Sequence, residues 1–156
     1  MTVAIHLAAK APERLEELAA ELRPGDLKEC EGFGFSGPLH ALTRSVEVSD
    51  AAWVATVDDE VLAAWGVRLE STLTGLASVW LLTGTAVDRH RRVFLRLSKA
   101  ALSWILMGYP KIFAMIDADY TQAIRWAGWL GFLLSDPITW NGRRWYRAEM
   151  EASRWA

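Results

Sequence analysis

Cysteine is almost missing from this sequence. Cys30 stands alone among 156 residues, which excludes an internal disulfide and a cysteine-based zinc site. A lone thiol fits a reducing compartment. Charge of one sign is also missing: 17 lysines and arginines face 19 aspartates and glutamates, for a formal net charge of -2. That balance argues against nucleic acid as a partner. No apolar run is long enough to cross a bilayer, and the most apolar helical stretch, Ala100 to Met107, falls well short. The opening MTVAIHLAAKA has no basic start and runs into a charged helix, so no signal peptide is read there. Linkers of low complexity, repeats and charge blocks are absent. His6, His40 and His90 are scattered without metal-ligand spacing, and no serine elbow supports Ser-His-Asp catalysis.

What is present is apolar. Hydrophobic residues make up 52% of the chain, enough for one domain over residues 1–156 with a sizeable core. Nine tryptophans are the compositional oddity. They either fill the core with a few rings left outside, or furnish a docking surface, since tryptophan is enriched at interface hot spots.

The local patterns give an element order. Thr2 to Leu7 alternates as a strand. Pro12 suits a helix first turn, Leu15, Leu18, Ala19 and Leu22 follow at helical spacing, and Pro24-Gly25 is expected to close that helix. The segment EGFGFSGP reads as a connection between two helices. Its Gly32, Gly34 and Gly37 have the spacing of a phosphate cradle but no strand before them. Pro38 to Val46 is a second helix. Ala52 to Val57 and Val61 to Leu69 are strands around the turn Asp58-Asp59-Glu60. A long strand, Leu76 to Val87, precedes a helix with the basic opening DRHRR. KIFAMIDADY is the next strand and TQAIRWAGWLGF the next helix. The tail ITWNGRRWYRAEM is a hairpin around Asn141-Gly142. The whole reads β-α-α-β-β-β-α-β-α-β-β. This is an α/β (α+β) fold with a mixed, mostly antiparallel sheet and helices on both faces.

That order, sharpest from Val79 to Met150, resembles the GNAT acetyltransferase fold. In that family the end of the fourth strand offers free backbone groups to the pantetheine arm of coenzyme A. A glycine-rich helix start, Gln/Arg-x-x-Gly-x-Gly/Ala, then holds the pyrophosphate. The resemblance implies acetyl-CoA as a possible cofactor. Its contacts would fall at Ala86, Val87, Arg89, Arg91 and Arg92. The matching segment, Asp88 to Val93, has no glycine; arginines would have to pair the phosphates directly. The second family motif, Asn-x-x-Ala-x-x-x-Tyr-x-x-x-Gly-Phe, is met at Ala123, Gly131 and Phe132. Tyr120 replaces the Asn, and Ala127 replaces the Tyr that commonly serves as general acid. Tyr109, Tyr120 and Tyr146 are alternative phenols, and Glu70 is the nearest strand-end carboxylate. No catalytic residue is assigned and no metal is expected.

A closer resemblance is to small GNAT-like proteins of tailed phages. It rests on Trp80 to Leu82, Gly84-Thr85, Arg89-His90, Phe94 to Ser98, Asp117-Ala118, Ile124 to Trp126 and Trp129 to Phe132. It implies a virion-associated or assembly protein on a degenerate acetyltransferase fold. Such a protein has other phage structural proteins as partners and resides in the virion or the bacterial host cytoplasm. The alternative is a working N-acetyltransferase that moves an acetyl group from acetyl-CoA to an amine. Two further features await placement. Asp119 or Thr121 is expected to cap the helix after the fifth strand. Alternation puts Arg143, Trp145 and Arg147 on one face of the hairpin, with Arg144 and Tyr146 on the other.

Overall fold

The computed structural model describes residues 1–155. After β1 (Val3–Leu7) come three helices, α1 (Pro12–Ala20), α2 (Pro24–Gly32) and α3 (Pro38–Val48). A meander follows, β2 (Ala51–Val57), β3 (Glu60–Ser71) and β4 (Leu76–Thr83). A single turn, α4 (Ala86–Arg89), leads into the long α5 (Arg91–Gly108), then β5 (Lys111–Asp117) and α6 (Thr121–Leu130). The chain ends with β6 (Leu133–Leu134), β7 (Ile138–Trp140) and β8 (Arg143–Glu151). All eight strands form one sheet in the order β1-β2-β3-β4-β5-β8-β6, with β7 also on β8. Among the described residues only the β4–β5 pairing is parallel.

The alternation along the strands sorts the side chains onto two faces. Val54, Ala64 and Leu82 meet Leu15, Leu18, Cys30, Ala41 and Leu42 from α1–α3. Val67, Ala77, Ile112, Ala148 and Met150 meet Leu102, Ile105 and Leu106 of α5 and Ala127 and Leu130 of α6. Both predicted turns form with left-handed residues: Asp58 (φ 49) and Asp59 (φ 67) between β2 and β3, Asn141 (φ 50) and Gly142 (φ 76) before β8.

Two expectations need correction. Pro24-Gly25 opens a helix rather than closing one. Arg23 before it is extended (φ -65, ψ 151), as a residue preceding proline favours, and Pro24 then takes a helix first turn. α1 has already ended at Ala20, so three helices separate β1 from β2. β4 stops at Thr83 rather than Val87. From Gly84 the chain coils, with the Val87 and Asp88 amides donating to Gly84 and Thr85 carbonyls at 3.1 Å each. The segment EGFGFSGP joins α2 to α3, as expected. A Cβ on Gly32 would come within 2.8 Å of the buried Trp145 ring, and Gly34 turns the chain at φ 86.

Candidate functional site between the splayed strands

β4 and β5 pair only through Leu76–Ser78 and Lys111–Phe113. Each then follows its outer neighbour, β3 or β8, and a cleft of about 290 Å³ opens between them. Diverging strands leave inner-edge backbone groups without partners, and these must be satisfied elsewhere. In this chain α2 and the residues before it take three of them. The Arg23 amide donates to the Thr83 carbonyl at 3.0 Å, and the Thr85 amide donates to the Glu21 carbonyl at 2.8 Å. Leu22 forms a bridge with Gly84. Opposite, the Glu29 carboxylate accepts the Asp117 amide at the end of β5 at 2.9 Å. The start of α2 is thus a strut across the wide end of the cleft.

The strut carries most of the buried ionisable groups. Asp26, Glu29 and Cys30 lie at positions i, i+3 and i+4 of α2, on its inward face, and all three are buried. Asp26 accepts the Tyr120 hydroxyl at 2.9 Å and the Thr83 hydroxyl at 2.5 Å. The Arg23 guanidinium donates to the Tyr120 hydroxyl at 2.9 Å and reaches Asp26 at 3.9 Å and Asp88 at 3.5 Å. Its Nε is buried without a hydrogen-bond partner. Burial pushes Asp26 up to about 6, against the pull of Thr83, Tyr120 and Arg23. Burial pushes Glu29 further, to about 8, with the Asp26 and Asp117 charges adding to it. The Cys30 thiol rises to about 12 by burial beside the same acids, so it stays protonated and is no nucleophile at neutral pH. Burial also raises the Tyr120 phenol. Both carboxyls therefore hold their protons more tightly than ordinary side chains do, and the Tyr120 hydroxyl is committed to Asp26 and Arg23.

The residues expected to hold coenzyme A do not gather in the cleft. Ala86 and Val87 are buried in a small cluster with Val57, Leu62 and Val93. Arg89 pairs with Glu60, which also takes His90 at 3.2 Å. Arg91 and Arg92 are exposed, with no carboxylate partner among the described residues. Tyr109 turns to Asp50 at 3.4 Å, and Tyr146 lies on β8, beyond β5. Glu70 accepts the Ser78 hydroxyl at 2.7 Å in an exposed position. Neither Asp119 nor Thr121 caps α6, whose start has no side-chain cap. Instead the buried Asp117 accepts the Asp119 amide at 2.9 Å and pairs with Arg143 at 3.2 Å. The hairpin's basic-aromatic alternation is not an open face, because Trp145 is fully buried and Arg147 lies 3.9 Å over the Phe113 ring.

Sequence reading missed Arg23, Asp26, Glu29 and Thr83. The spacing of Asp26, Glu29 and Cys30 was a usable signal once Pro24 is read as a helix start. As arranged, these residues do not fit a coenzyme in the manner the resemblance implies. The Thr83 carbonyl and the Thr85 amide at the end of β4 are already taken, and side chains occupy the family's glycine positions at the start of α5.

Comparison with known proteins bears on the fold. No family model matches the chain, and no curated protein matches it. Solved structures do. A chimera of spermidine N-acetyltransferase from Vibrio cholerae superposes with a TM-score of 0.70 at 11% identity, covering 99% of this chain and 98% of that one. An aminoglycoside acetyltransferase in complex with coenzyme A gives 0.67 at 15% identity, over 96% and 95%. The ribosomal-protein-S5-alanine acetyltransferase of Vibrio fischeri gives 0.69 at 8% identity, over 100% and 96%. The chain has the GNAT acetyltransferase fold. At these identities the likeness reaches no further than the fold.

Proposed function

We propose that this chain is a non-catalytic member of the fold, a virion-associated or assembly protein of a tailed phage that keeps the GNAT architecture as a scaffold. The observation that carries the first half is the pairing of residues 21–23 with the end of β4, where the family's coenzyme would bind. The second half rests on the resemblance of Trp80 to Leu82, Phe94 to Ser98 and Trp129 to Phe132 to small phage proteins. An assembly role also suits the exposed rings of Trp104, Trp129 and Trp140.

One observation favours the competing reading, an N-acetyltransferase acting on an amine. Glu29 and Tyr120 both line the cleft, and a carboxyl held near 8 is poised for proton transfer at neutral pH. Calorimetric titration of the purified protein with acetyl-CoA decides between them. The scaffold reading expects no saturable heat. Saturable binding that weakens when Arg91 and Arg92 are both replaced by Ala overturns it and restores the transferase.

A further inference from the structure

The sheet ends on one side at β1, and among the described residues no element covers that edge. Natural edge strands are blunted by charge, proline or a bulge. From Thr2 through Ala9 this chain has no charged residue and no proline, and β1 pairs with β2 in unbroken register. The Thr2 carbonyl accepts the Asp58 amide at 2.8 Å. Antiparallel alternation from that point turns the backbone groups of Ala4 and His6 towards β2 and those of Val3, Ile5 and Leu7 outwards. The same three side chains are 43%, 51% and 50% exposed. Beside them Ile5, Trp53, Trp65 and Trp104 line an apolar groove of about 220 Å³ under α5, and Trp104 is 71% exposed.

We propose that β1 pairs antiparallel with β1 of a second copy of this chain, about a two-fold axis at Ile5, joining two sheets into one. The strand is self-complementary in that register. Ile5 faces its own counterpart and Val3 faces the other copy's Leu7, so the outward residues of both copies exchange backbone hydrogen bonds. A two-fold axis perpendicular to the sheet keeps both α5 helices on one side, so the groove of one copy continues into that of the other. Lys10 lies beyond the paired segment, and no like charges oppose each other. Full burial of the exposed parts of Val3, Ile5, Leu7 and Trp104, with the strand edge, amounts to about 1,000 Å² over two copies, the size of a weak, reversible dimer.

Sedimentation velocity of the full chain across the micromolar range is the test, joined to amide hydrogen exchange. The expected result is a concentration-dependent dimer in which the Val3, Ile5 and Leu7 amides become protected as it forms. Ile5→Lys should leave a monomer with an intact thermal transition, while Leu73→Lys, at a hairpin tip 97% exposed, should dimerise like the parent. Exchange in the unsubstituted chain reads the pairing even if Ile5→Lys fails to fold. A monomer at every concentration overturns the proposal. So does a dimer whose outward β1 amides exchange as fast as in the monomer.

Discussion

Replacing Glu29 with glutamine isolates the cost of placing a carboxyl at the centre of the cleft. Glutamine keeps an oxygen to accept the Asp117 amide, which the carboxylate now takes at 2.9 Å, and removes only the ionisation. Glu29 goes from an ordinary 4.5 to about 8 on folding, chiefly because it is buried. The folded state therefore holds this proton more tightly than the unfolded chain does. Stability linked to the group is fully present below 4.5 and is lost as pH rises through about 8. At 1.36 kcal/mol per pH unit that loss is about 5 kcal/mol. The two proteins should melt alike in mild acid, and above about pH 8 the Glu29→Gln variant should melt roughly 10–20 °C higher. Differential scanning calorimetry across that range reads the difference. The Asp26 charge is one of the causes of the shift, so Asp26→Asn in the parent should move the midpoint of the loss to lower pH. Parallel pH profiles for parent and Glu29→Gln would refute the reasoning, because they would mean that Glu29 ionises in the folded protein as freely as in the unfolded chain.

Further outcomes follow from the same contacts. Arg23→Ala removes a charge that holds Asp26 down, so the Asp26 carboxyl should titrate above about 6 by NMR; an unchanged midpoint would remove Arg23 from the cluster's electrostatics. Gly25→Ala would drive a Cβ into the Tyr120 ring and should cost about 1–3 kcal/mol. Gly128→Ala, inside α6 with open space around it, should add about 0.5–1 kcal/mol; chemical denaturation compares the two. Trp145→Ala empties the largest fully buried side chain and should lose about 3–5 kcal/mol by the same measurement.

The fold was legible because its signals are local. Alternation marked the strands, Asp58-Asp59 and Asn141-Gly142 marked the turns, and the helical spacing of α5 and α6 survived intact. Pro24 was misread because a proline after a helical stretch signals an end and a beginning equally. Only the bridge from Leu22 to Gly84, 62 positions along the chain, shows that α1 had already finished. The same error hid the site. Asp26 and Glu29 outside any assigned element read as ordinary surface acids, whereas on a helix they share an inward face with Cys30. The fate of Ala86 and Val87 was equally out of reach. Apolar residues continuing a strand pattern suit either strand or buried turn, and contacts with Val57, Leu62 and Val93 choose the turn.

The strut also bears on the backbone groups that diverging strands leave unpaired. A buried backbone group left unpaired costs about 1–3 kcal/mol, so unpaired groups in a splay favour its closing or fraying. Here the Thr83 carbonyl, the Thr85 amide and the Asp117 amide are each satisfied by residues 21 to 29. Those residues belong to the protein and are already ordered when α2 packs. A coenzyme arm seeking the same β4 edge would first have to release Arg23 and Glu21. Losing two such bonds before forming its own would weaken binding by about 2 kcal/mol or more, over tenfold, and Arg23 would also leave Asp26 buried without its cation. The pairing that makes the splay stable is the same pairing that opposes a coenzyme there, so the two properties should change together in Arg23→Pro, which removes the amide, and not in Arg23→Ala, which keeps it.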